Sequence, residues 1–159
     1  LEPAQSETYQ KRAKEINNEL KQIHQWIEAQ IATIPPEKRK LITTHDALGY
    51  YVDTYNLEFE GALSGFTTEE SPTAARVREL VKKIQKTQVP TIFAETSVNP
   101  KLIETVAKEA QVKVSPRKLY VGGLGEKGTE GDSYQKMLIA NTKTIVEGLG
   151  GKYTPFQPK

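Results

Sequence analysis

The stretch that most constrains this chain is Lys40 to Tyr51, KLITTHDALGYY. A short apolar run, Leu41-Ile42-Thr43, ends in Thr44-His45-Asp46, and a helical pattern starts at Ala47. A strand that runs directly into a helix opens a β-α unit and argues for a parallel sheet with crossover helices. His45, one of two histidines, then stands at a strand's carboxyl end, where open α/β sheets collect their ligands. Two further strand ends look alike: PTIFA runs into Glu95, and KLYV runs into Gly122-Gly123.

Ahead of this stretch, Tyr9, Ala13, Ile16, Leu20, Ile23, Ile27, Ile31 and Ile34 recur in steps of four and three. That is the stripe of one long amphipathic helix from Gln5 to Ile34, packed along a seam. Ser6 is its expected N-cap, and Pro35-Pro36 stops it. Roughly 30 residues at 1.5 Å each give about 45 Å, more than a small domain needs. Such a helix either bridges two lobes or serves as an arm for self-association. His24, between stripe positions and near Trp26, reads as a solvated or packing residue rather than a ligand.

Downstream the units alternate. Leu57 to Leu63 reads as a second strand, Gly65 to Glu70 as polar loop, and Ser71-Pro72 as a helix start. Val77, Leu80, Val81 and Ile84 face the sheet. Val89 to Ala94 is a third strand, with Pro90 confined to its entry. Asn99-Pro100 opens a helix that turns Leu102, Ile103, Val106 and Ala107 inward. Val112 to Val114 and Lys118 to Val121 are short strands, and the glycine-rich loop Gly122 to Gly131 follows. Asp132 or Ser133 caps the last helix, whose inward face is Met137, Leu138, Ile145 and Leu149. Gly148, Gly150 and Gly151 end it, and the tail KYTPFQPK is expected to be loosely held. The fold class is therefore α/β: a mostly parallel four-stranded sheet flanked by helices, preceded by one long linker helix.

At 159 residues the chain can bury a sizeable core. Its formal charge of +2 comes from scattered rather than striped basic residues, so nothing points to nucleic acid or an anionic membrane. The absence of cysteine excludes disulfides, thiolate-held zinc and thiol catalysis. No run approaches the roughly 18 apolar residues of a membrane helix. The chain opens without Met in a polar segment, which suggests a fragment or a processed product.

The catalytic motifs fare poorly. Gly123 to Gly128 spells G-x-G-x-x-G after a strand, but the following helix begins only near Asp132, too late to meet a pyrophosphate. A flexible loop over a cleft is the better reading. Ser97, Ser115 and Ser133 lie outside any strand-elbow context, so no triad assembles around His45. Glu95, Asp46 and Asp132 could converge as paired carboxylates, although nothing in their spacing supports it. Metal binding has more physical content, since imidazole suits zinc and carboxylates suit harder ions such as manganese.

Three segments, LITTHDALGYYVDTYNLE, VPTIFAETSVNPKLIETVAKEAQVKV and GDSYQKMLIANTKTIVEGL, resemble in sequence and order the carboxyl half of zinc/manganese solute-binding proteins of metal-uptake ABC transporters. The resemblance implies two α/β lobes joined by a rigid helix, with the ion between them. Residues 1–35 would be the bridging helix and 36–159 the carboxyl lobe, with the amino lobe and its two histidine ligands missing. It also implies that His45 is a metal ligand and that Glu95 supports a ligand from behind. Gly122 stands where the family ligand Asp is expected, and Asp132 is the candidate substitute. Zinc is favoured over manganese for the parent protein, and little tight binding is expected from this chain alone. The implied protein is no enzyme. It is periplasmic or otherwise extracytoplasmic, lipid-anchored in its precursor, and it delivers its ion to a membrane permease. A homodimer through the long helix is a further expectation. The alternatives are a nucleotide-binding or enzymatic α/β domain using Gly122 to Gly131, and an interaction lobe without metal.

Overall fold

A computed structural model describes residues 3–64 and 73–158. Helix α1 (Ser6–Ala32) is followed by strand β1 (Lys40–His45), helix α2 (Gly49–Thr54), strand β2 (Glu58–Ser64) and helix α3 (Ala74–Thr87). Strand β3 (Thr91–Ile92), helix α4 (Lys101–Ala110), strand β4 (Lys113–Val114) and helix α5 (Tyr134–Gly148) complete the order.

The strands run parallel as β2-β1-β3-β4. Strand β1 pairs with β2 from Lys40 opposite Glu58 to His45 opposite Ser64. Strand β3 pairs with β4, and a bridge between Thr43 and Phe93 joins the two halves. Side chains alternate across this sheet as a pleated strand requires. Leu41 and Phe93 point into one apolar cluster with α1, α2 and α5. Ile42, Ile92 and Ala94 point into another with α3 and α4. Three layers result, with helices on both faces of a parallel sheet.

Several sequence expectations shift. The N-cap of α1 is Gln5, without a side-chain cap bond, and Ser6 is already helical, accepting instead from Gln10 Nε2. At the other end Arg39 donates to the carbonyls of Ile34 and Ala32, closing acceptors that the last turn leaves open. The loop Gly65 to Glu70 and the Ser71-Pro72 start lie outside the described residues. The cap of α3 is Thr73, whose hydroxyl accepts from Arg76 N at 3.2 Å. The expected strand Lys118 to Val121 contributes only a bridge, Leu119 to Glu95, because the Ser115 to Arg117 turn separates it from β4. The third strand is also shorter than Val89 to Ala94.

The tail is the plainest correction. It is seated on α1: Trp26 Nε1 donates to Thr154 O at 3.0 Å, and Thr154 N donates to Gln30 Oε1 at 2.7 Å. Buried aromatic area outweighs the ordering entropy of such a segment. Polar flanking residues hid this, since Tyr153 and Phe156 show no helical or strand period.

The stripe of α1 divides in two. Ile23, Ile27, Ile31 and Ile34 are buried, whereas Tyr9 and Ile16 are about half exposed, at 50% and 47%.

Gly148 closes α5 against the sheet. A Cβ there would stand 2.6 Å from the ring of Phe93, which is fully buried. In an open helix Gly→Ala gains close to 1 kcal/mol. Here Gly148→Ala should instead destabilise by about 1–3 kcal/mol through overpacking. Urea unfolding checks the sign, and a stabilised variant would contradict this packing.

Candidate functional site

Register brings His45 and Glu95 together. Thr43 lies opposite Phe93, so two residues further along the parallel strands His45 meets Glu95 on the same face. Glu95 is bridged in turn to Leu119, which leads into Val121 and Gly122. The three strand ends singled out from the sequence are therefore neighbours.

The Glu95 carboxylate is fully buried and spends both oxygens on His45. Oε1 accepts from the backbone N of His45 at 3.0 Å, and Oε2 is in close contact with Nδ1 of the ring. Neither Oε2 nor Nδ1 has another partner among the described residues. An ionised carboxylate can only accept, so Nδ1 carries the hydrogen that faces it. Burial pushes the Glu95 carboxyl up from its usual range, and the hydrogen bonds from His45 oppose this. The ring does not hang in an open gap. His45 is only 7% exposed, drawn down by the carboxylate of the next strand. The hydroxyl of Thr43 ties the same strand end by donating to His45 O at 2.7 Å.

Gly122 lies at the rim, exposed, with φ of 75°. This left-handed conformation favours glycine, although Asp enters it more readily than most residues. A Cβ at this position would meet only Ser97, at 4.0 Å. Asp132 is elsewhere engaged. It accepts from Gly128 N and from Lys136 Nζ, both at 2.8 Å, and Lys136 holds its carboxyl below the usual range. Ser133 caps α5 by accepting from Lys136 N. Glu95, Asp46 and Asp132, whose spacing gave no support for convergence, do not gather as a group among the described residues. Among the described residues no three His, Cys, Asp or Glu side chains gather as a metal site.

The glycine-rich loop is pinned rather than free over a cleft. Gly125 N donates to Gly131 O at 2.8 Å, and a Cβ on Gly131 would strike the Tyr120 ring at 2.7 Å. Gly128 is outside α5, which starts at Tyr134, so the G-x-G-x-x-G glycines present no helix end to a phosphate.

Beside Gly122 lies an open depression of about 530 Å³, walled by Leu48, Tyr51, Tyr55, Tyr120, Leu138 and Asn141 among others. Sequence reasoning missed what fixes it. Asn141 accepts from Tyr120 N at 2.8 Å and donates to Tyr120 O at 2.9 Å, replacing the strand partner that this edge lacks. The hydroxyl of Thr142 donates to Leu138 O, so Tyr51 must donate to Thr142 at 2.8 Å. Burial pushes the Tyr51 hydroxyl well up from its ordinary range. Polar Asn141 and Thr142 within the apolar run from Leu138 to Ile145 were the available signal. His24 is exposed, with Nδ1 3.1 Å from Tyr55 OH.

A family model described as "Zinc-uptake complex component A periplasmic" matches residues 1–148, and the chain belongs to this family. The chain is 33% identical over 148 residues to the metal ABC transporter substrate-binding lipoprotein ScbA of Streptococcus cristatus, covering 93% of this chain and 47% of that protein. It is also 33% identical to the manganese-binding lipoprotein MntA of Bacillus subtilis, over 92% of this chain and 49% of that one. The periplasmic zinc-binding protein TroA of Treponema pallidum superposes with a TM-score of 0.87 at 28% identity, over 92% of this chain and 54% of its own. The chain thus spans about half the length of the curated relatives it matches.

The raised Glu95 carboxyl has a signed consequence. Its contribution to stability is fully present below the unfolded value of 4.5 and is lost as pH rises through the higher folded value. Relative to Glu95→Gln, the wild type should be most stable below that value and lose ground towards neutral pH. Denaturant midpoints at pH 4 and 7 check this, and a constant difference would contradict it.

Proposed function

We propose that this chain is the carboxyl lobe, with its linker helix, of an extracytoplasmic metal-binding protein that serves an ABC transporter. Membership of the zinc-uptake family supports the class. The observation that carries the reading is the His45–Glu95 pair at the carboxyl ends of β1 and β3. A buried carboxylate holding Nδ1 presents Nε2 as a ligand, which is how metal-binding histidines are commonly oriented.

In this reading His45 is a ligand and Glu95 is its support. Residues 1–35 bridge to an amino lobe, and 36–159 form the carboxyl lobe. The half-exposed Tyr9 and Ile16 on α1, together with Tyr50, Leu124 and Tyr134 around the depression, supply an apolar surface that such a lobe would cover. The same exposed stripe is what a homodimer through the helix would use if no lobe covered it. Zinc is favoured by the imidazole at position 45, and manganese is the neighbouring choice. The partner is a membrane permease, and lipid anchoring of the precursor follows the relatives described as lipoproteins.

Gly122 leaves the ligand set short, with Asp132 already engaged by Lys136. Zn²⁺ and Mn²⁺ titrations by calorimetry test the assignment on the chain itself. Weak or absent binding is expected for the wild type. Gly122→Asp should tighten it by about tenfold or more, the scale on which single groups around a metal act. Adding His45→Ala to Gly122→Asp should abolish that gain. Equal metal heats in all three proteins, or heat from nucleotide but not from metal, would overturn the reading.

A further inference from the structure

The segment after α5 grips the long helix on a second face. Gly151 N donates to Val146 O at 2.8 Å, which turns the chain back against α1. Lys152 N then donates to Thr33 Oγ1 at 2.9 Å. Thr154 bonds both Gln30 and Trp26 through its backbone. Tyr153 and Phe156 meet the Trp26 indole edge-on, with centroids 6.0 and 5.7 Å away. Lys143 lies over the Tyr153 ring at 5.6 Å, linking the tail to α5 as well.

Trp26, Gln30 and Thr33 follow one another by four and three residues, so they share one face of the helix. That face adjoins the buried one formed by Ile27, Ile31 and Ile34. The last turns of α1 are therefore held by the core on one side and by the tail on the other. Ahead of Leu20 the described contact is much thinner, and Tyr9, Ala13 and Ile16 are exposed. The matched family region stops at residue 148, ahead of the gripping residues.

We propose that residues 152–156 are a strap that makes residues 23–32 of α1, with Thr33 and Ile34 after it, a rigid part of the lobe. Any swing of the amino half of the helix then pivots ahead of Ile23. This holds whatever the chain binds, because it uses only contacts within the chain.

Native-state amide hydrogen exchange tests it on the wild type, on a chain ending at Gly151, and on Gln30→Met, which removes the acceptor of Thr154 N. Removal of the strap should speed exchange at residues 24–33 by about tenfold or more while α4 is unchanged, as expected for a local opening. Emission from Trp26, the single tryptophan, should shift to the red. Gln30→Met should give a smaller rise at the same amides, and it decides the matter if the shortened chain does not fold. Unchanged exchange at 24–33, or an equal rise in α1 and α4, would overturn the proposal.

Discussion

A carboxylate removed entirely from water must find hydrogen bonds that replace its hydration. Glu95 finds both in His45, one from the backbone and one from the ring. That pairing ties β1 to β3 at the sheet's carboxyl edge, beyond the backbone bridge between Thr43 and Phe93. Remove the carboxylate and the imidazole loses its fixed orientation; remove the imidazole and a buried anion is left uncompensated. The orientation of the buried ring depends on this one exchange.

The pairing also explains why the site looks incomplete without being disordered. The ring is held by groups of this chain itself. The remaining rim offers less. Gly122 contributes no side chain, its backbone is left-handed, and Asp132 is bound to Lys136 and the Gly128 amide. Asn141 meanwhile fixes Tyr120 just ahead of Gly122. The rim is thus well positioned but poor in donors.

Elements with a strong period were legible in the sequence. The stripe from Ile23 to Ile34 and the inward faces of α3 and α4 appear as expected, with Leu80, Ile84, Ile103 and Val106 buried. The three strand ends were found because apolar runs stop abruptly at His45, Glu95 and Gly122. What stayed hidden depended on tertiary pairing. Asn141 acts through a backbone segment 21 residues away, and no local pattern reveals that. The tail looked loose because Tyr153 and Phe156 gain their partner, Trp26, only once α1 is folded against α5. The capping of α1 was misread because Ser6 makes an i,i+4 bond to Gln10 inside the helix rather than accepting from its backbone.

The central claim is that Glu95 sets which nitrogen of His45 is free. Long-range ¹H–¹⁵N correlation spectra of the imidazoles at neutral pH read this directly. The account predicts the Nδ1–H tautomer for His45 in the wild type and its loss in Glu95→Gln. An Nε2–H tautomer in the wild type, or one unaltered by the substitution, would contradict it.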